Sequence, residues 1–212
     1  MNDPVTYRVT EIAEKGDSFV CTLESSLSGE AFTLLLRISD IYSARLSVGK
    51  EISDECFEAL YEASAVAEAV ARAQRLLAGG DHSKKQLILK LIRSDIDRPY
   101  AEKAALLMEE RGFINEDEQA ERLARAYNRR KYWGKGRILQ ELLSKGYERD
   151  AATAAVSFIT PEEYKDSLRT VIERKYPDPP EDKREKDRQT AALLRLGYSL
   201  SEIAEVFRET YK

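Results

Sequence analysis

The sequence predicts a mainly α-helical protein that begins with a small antiparallel β-meander. Three observations predict it. Apolar residues alternate with period two over the first 37 residues, the period becomes helical from about Ser53, and helix stops recur 51 residues apart further on.

Val5, Tyr7 and Val9 alternate with polar residues, and Phe19, Cys21 and Leu23 do so after the turn Glu14-Lys15-Gly16-Asp17. Phe32, Leu34 and Leu36 follow a second turn at Ser28-Gly29. This is the pattern of half-buried antiparallel strands. Three short strands are marginal in water, so the sheet is expected to pack on a helix.

From Ser53 onward Leu60, Ala63, Val66, Ala67, Val70, Ala71 and Leu77 fall on one helical face. Gly79-Gly80 stops that helix. Four further starts carry capping-box pairs: Ser83 with Gln86, Asn115 with Glu118, Thr160 with Glu163, and Ser199 with Glu202. Pro161 stands at a first helical position, where its missing N–H costs little. Gly112, Gly146 and Gly197 stand where helices should end.

The stops are periodic. Leu142-Leu143-Ser144-Lys145-Gly146-Tyr147 lies 51 residues before Leu193-Leu194-Arg195-Leu196-Gly197-Tyr198, and the same step back reaches Leu91-Ile92-Arg93-Ser94-Asp95-Ile96. Apolar positions after the stop match too: Ala101, Ala152 and Ile203, then Ala104, Ala155 and Val206. Such a period predicts tandem helical repeats that share surface. The expected organisation is an N-terminal β-meander extension (1–52), a linker helix with the first three-helix repeat (53–114), a second repeat (115–159) and a third (160–212). Together the repeats should form an elongated, curved array. The charged stretch Lys175 to Asp187 is expected to be a solvated loop and helix start within the third.

Composition agrees and narrows function. A hydrophobic fraction of 42% supports a core, and 34% charged residues suit solvated helix surface. The net charge of −4 excludes a simple polycation. Its distribution is uneven: residues 1–80 carry a net of −6, whereas Arg122 to Lys145 carries eight cations and one acid. Cys21 and Cys56 fall in no metal or redox spacing, which fits structural thiols in a reducing compartment. With no secretion signal and no apolar run near 18 residues, a cytoplasmic protein off the membrane is expected. A monomer is expected.

Catalysis has little to stand on. His82 is the only histidine. Gly134-Lys135-Gly136 is too short for a phosphate-cradling loop, and no metal-ligand spacing occurs, so no metal or cofactor is expected. The expectation is a binding protein and not an enzyme.

The cationic stretch is the candidate site. Arg122, Arg125 and Arg129 are spaced at three and four and share a helix face. Arg130 and Lys131 extend it, Lys135 and Arg137 follow a glycine-flanked turn, and Lys145 closes the run. Three readings are open: a solvated face, a surface for nucleic-acid phosphates, or a surface for an acidic protein. Trp133, beside the turn, is a candidate contact that could stack on a base or anchor an interface. Tyr127 fits the core stripe instead.

These residues carry a family resemblance. The run Arg122-Leu-Ala-Arg-Ala-Tyr127-Asn-Arg-Arg-Lys-Tyr-Trp-Gly134-Lys135-Gly136-Arg137-Ile138-Leu-Gln-Glu141-Leu142-Leu-Ser-Lys145-Gly146 resembles the hallmark of the RecX family. So do Ala73-Gln-Arg-Leu76-Leu77 and Glu110-Arg111-Gly112-Phe113-Ile114-Asn115-Glu116. The resemblance covers about residues 68–212, and the meander is similar to an extension found in some members. It implies a fold of three-helix repeats and a regulator that binds the RecA recombinase filament on single-stranded DNA. Such a regulator restrains ATP hydrolysis, strand exchange and filament growth. A helical module binding single-stranded or duplex DNA without recombinase is the alternative, and a scaffold for another protein is a third. Ser94-Asp95 departs from the glycine that ends the other two repeats, so the shape of that turn is open.

Overall fold

The computed structural model describes residues 4–211. The chain divides into two compact units: residues up to Gly80 with Leu87–Phe113, and Asp81–Gln86 with the chain from Ile114 onward.

In the first unit, β1 (Thr6–Lys15), β2 (Ser18–Ser25) and β3 (Ala31–Leu36) form the expected meander. After a short helix α1 (Ile38–Ser43) comes a fourth strand, β4 (Glu51–Ser53), which the alternation did not show. Three residues are too few to display a period. β4 is specified by pairing, Tyr7 opposite Ile52, and the sheet order is β3-β2-β1-β4, antiparallel throughout. The inward positions Tyr7, Val9, Cys21, Leu23, Leu34 and Leu36 are buried as their alternation requires.

The expected covering helix is α2 (Asp54–Ala78), capped by the Ser53 hydroxyl, which accepts from the Cys56 N–H. Phe57 and Leu60 press into the sheet core, and Phe57 stacks on Tyr7 at 3.7 Å between ring centroids. The Leu35 N–H of edge strand β3 donates to the Ser64 hydroxyl at 2.8 Å, which ties the sheet to the helix. Further along, Ala69 and Ala73 are fully buried. Also in this unit is α4 (Arg98–Glu110), with Ala101, Ala104, Ala105 and Met108 buried. Helix α3 (Lys84–Ile92) begins in the second unit and continues in the first.

The apolar face of α2 is only partly covered. Ala63, Val66, Ala67, Val70 and Ala71 are half-buried and line an open groove. The sheet covers the first turns of α2, and the fully buried positions beyond it are Ala69 and Ala73. Of the cysteines, Cys21 is buried, which pushes its thiol up to about 11, and Cys56 is half-buried. Among the described residues no helix is long and apolar enough to cross a membrane.

Among the described residues the second unit holds, besides the start of α3, six helices: α5 (Glu116–Lys131), α6 (Lys135–Ser144), α7 (Arg149–Ser157), α8 (Pro161–Lys175), α9 (Lys183–Arg195) and α10 (Leu200–Thr210). Ala120, Ala124, Tyr127, Ile138, Leu142, Val156 and Tyr164 are in one core cluster, and Leu168, Ile172, Leu193, Tyr198, Ile203 and Phe207 are in another. The predicted caps are present. Thr160 with Glu163 and Ser199 with Glu202 form full capping boxes, and Asn115 and Ser83 accept from the N–H three residues on.

The helix stops at Asp95, Gly146 and Gly197 share one geometry. Each has positive φ (61°, 84° and 91°). In each the next N–H reaches back to the carbonyl five residues earlier: Ile96 to Leu91, Tyr147 to Leu142, Tyr198 to Leu193. This is the Schellman termination. Asp95 adopts the same turn as the glycines.

Candidate functional site

The cationic stretch is held by an end-to-end joint between helices in the second unit. Gly134 N–H donates to the Leu196 carbonyl at 2.8 Å and Gly136 N–H to the Gly197 carbonyl at 3.0 Å. Arg137 Nη1 donates to the Arg195 carbonyl at 3.0 Å. The C-terminal carbonyls of α9 thus meet the N-terminal N–H groups of α6, and the opposed partial charges attract. Only glycine permits this approach: a Cβ on Gly134 would lie 2.6 Å from the Gly197 carbonyl carbon and oxygen. Gly134-Lys135-Gly136 is therefore a docking joint, and the Gly134 and Gly136 N–H groups are not open to an anion. One period earlier the joint recurs, with the Ser83 hydroxyl donating to the Lys145 carbonyl at 2.7 Å beside Gly146.

The eight cations of the stretch divide by their surroundings. Arg122 pairs with Asp81 and, at 3.6 Å, with Glu118. The Asp81 hydrogen bond and charge hold its guanidinium pKa above the ordinary value. Arg125 pairs with Glu121 at 2.9 Å and reaches Glu163 at 3.9 Å. Lys145 reaches Glu141 at 4.0 Å. Lys131 and Arg137 lie over the Trp133 ring, each 4.3 Å from its centroid. Arg129, Arg130 and Lys135 are exposed and make no ion pair or hydrogen bond among the described residues. Arg122, Arg125, Ala126, Arg129 and Arg130 line one shallow depression on α5.

Trp133 is half-buried. It packs against the core cluster and tilts over Tyr127 with centroids 5.0 Å apart. Lys131 also lies 4.7 Å from the Tyr127 centroid. A base could stack on Trp133 only by displacing Lys131 or Arg137. Tyr127 is buried, as its place in the helical stripe predicts. Its neighbour Asn128 is polar and buried, and its amide holds structure together: Oδ1 accepts from Ser167 Oγ and Nδ2 donates to the Trp133 carbonyl, fixing the turn into α6.

The sequence reading found the cations but not their division. Two partners, Glu118 and Glu121, stand four residues before Arg122 and Arg125, and that spacing was a usable signal. Asp81 and Glu163 come from distant sequence and gave none. Among the described residues no group of His, Cys, Asp or Glu could hold a metal ion.

An α-helical scaffold with a small N-terminal sheet, presenting a cationic face on locked helix ends, is the class this architecture defines. No family model matches the chain. A curated relative from Leptothrix cholodnii, regulatory protein RecX, is 34% identical over 138 residues, covering 65% of this chain and 85% of the relative. The chain belongs to the RecX family of regulatory proteins. A crystal structure of regulatory protein RecX matches with a TM-score of 0.74 and 20% identity, over 94% of this chain and 98% of that one. RecX from Lactobacillus salivarius matches with a TM-score of 0.61 and 20% identity, over 69% and 96%.

Proposed function

We propose that the protein binds the RecA recombinase filament on single-stranded DNA and restrains its ATP hydrolysis, strand exchange and growth. The carrying observation is the set Arg129, Arg130 and Lys135, three exposed cations at the end of α5 and start of α6 that make no ion pair or hydrogen bond among the described residues. Unpaired cations are the ones free to neutralise an external anion, and a local positive field speeds encounter with a polyanionic filament. Arg122, Arg125, Lys131, Trp133, Arg137 and Lys145 belong to the same surface and set its shape. On this reading the helices form three tandem three-helix repeats that touch neighbouring recombinase subunits, which couples binding to their ATP turnover.

The test is recombinase ATPase on single-stranded DNA, with co-sedimentation beside it. Wild-type protein lowers turnover, and an R129E/R130E/K135E variant loses the effect. Binding by wild type should weaken with salt at a slope that the variant reduces by about one per lost phosphate contact. Unchanged ATPase at saturating wild-type protein would overturn the proposal. Equal binding to bare DNA and filament would favour the DNA-module alternative.

A further inference from the structure

The apolar face of α2 points to a second binding surface. Ala69 and Ala73 are fully buried, and 51 residues on so are Ala120 and Ala124 of α5, so the two helices present matching faces in register. On α5 the positions matching Val66, Ala67, Val70, Ala71 and Gln74 are Asp117, Glu118, Glu121, Arg122 and Arg125, a charged and solvated set. On α2 the same positions are apolar but for Gln74, yet remain open to solvent. Apolar residues at solvent-facing positions are unfavourable unless something covers them.

What covers them is constrained by the groove. Its volume is about 540 Å³, with the small side chains of α2 as floor, Leu107 of α4 on one flank, and Arg37, Glu62 and Arg111 at the rim. Arg37 is paired with Asp40 and Glu62 with Lys103. Arg111 is exposed and has no ion pair among the described residues, so the uncompensated rim charge is positive. A nucleic-acid strand would leave its phosphates on an apolar floor, at a large desolvation cost. A helix fits: small residues let a second helix pack at close axial distance, and its apolar stripe fills the groove.

We infer that this groove docks an amphipathic helix of the recombinase, with a carboxylate of that helix against Arg111. The inference rests on the proposed function. It adds that the protein partner is gripped by the first unit and the anionic filament by α5 and α6.

The test uses full-length protein and recombinase with no DNA present, with binding followed by fluorescence polarisation. V66D, at a half-exposed position, should weaken binding to recombinase at least about tenfold, since an interface core tolerates a buried charge poorly. R111E should weaken it less, and neither should change binding to single-stranded DNA. V66C in a C56S background gives a second readout independent of any loss of folding: recombinase should slow maleimide labelling of the new thiol. Full recombinase binding by V66D, or labelling that recombinase does not slow, would overturn the groove inference while the proposed function stands. Wild-type protein that binds neither recombinase nor its filament would overturn both.

Discussion

Replacing Gly197 by alanine separates two costs that the joint between α9 and α6 combines. The first is conformational: φ at Gly197 is +91°, a region that costs an L-residue about 1–2 kcal/mol. The second is steric: the new Cβ would lie 2.6 Å from Arg137 Cβ and 2.9 Å from its Cα, so the two helix ends must separate. Separation breaks the Gly134 and Gly136 hydrogen bonds, worth about 1 kcal/mol each. G197A should therefore destabilise the second unit by roughly 3 to 5 kcal/mol. Two controls isolate the parts. Gly16 has φ +63° with nothing within 4 Å of a Cβ, so G16A carries strain alone, about 1 kcal/mol. Gly134 has φ −79°, so G134A carries the clash and the lost bonds alone, roughly 2 to 3 kcal/mol. Urea unfolding followed by circular dichroism and by fluorescence of the single tryptophan gives the comparison, with separate transitions for the two units allowed in the fit. G197A and G134A should also be non-additive, because either one opens the same joint. If G197A costs no more than G16A, the close approach contributes nothing and the account of the joint is wrong.

Alkaline stability should fall between about pH 10 and 12. Burial pushes the Tyr147 phenol up to about 12 and raises Tyr164 and Tyr198 by the same cause. The unfolded chain then loses protons first, so stability is full below the ordinary phenol pKa and is lost as pH rises through the folded one. Urea midpoints that do not move between pH 9 and 11 would contradict this. R137A removes both the cation over Trp133 and the donor to the Arg195 carbonyl, at about 1–2 kcal/mol, and should red-shift the tryptophan emission. G146N should cost less than G197N, because the new Cβ at 146 comes no closer than 3.0 Å to Lys85 Cβ, whereas at 197 it would lie 2.3 Å from the Arg137 backbone nitrogen. Melting curves of the pair decide the order.

Local features were legible in the sequence because their causes are local. The meander alternation, the caps at Asn115, Thr160 and Ser199, and the stops at Gly112, Gly146 and Gly197 all depend on residues within a few positions. Features set by distant partners were not. β4 exists through its pairing with Thr6–Arg8. The open face of α2 depends on which part of that helix the sheet reaches. At the candidate site the cations could be counted from sequence, but the Asp81 and Glu163 contacts that neutralise Arg122 and Arg125 could not. Composition therefore overstated the free positive charge. It also left Gly134-Lys135-Gly136 without a purpose, which only the carbonyls of Leu196 and Gly197 supply.

Asp95 shows why the later glycines are there. If the turn alone required glycine, position 95 would require it too, since its φ is 61° and its hydrogen bonds match those at 146 and 197. Aspartate holds that turn, as short polar residues can. What distinguishes the other two is the element beside them: Ser83 and Lys85 lie against Gly146, and Gly134, Gly136 and Arg137 lie against Gly197. The missing Cβ serves the neighbour more than the backbone angle. The same reasoning applies to the cations around these joints. Arg137 commits its guanidinium to a carbonyl and a tryptophan face, whereas Arg129, Arg130 and Lys135, close to it in sequence, have no such internal role. Rigid placement by the first kind of residue is what gives the second kind a fixed pattern to present.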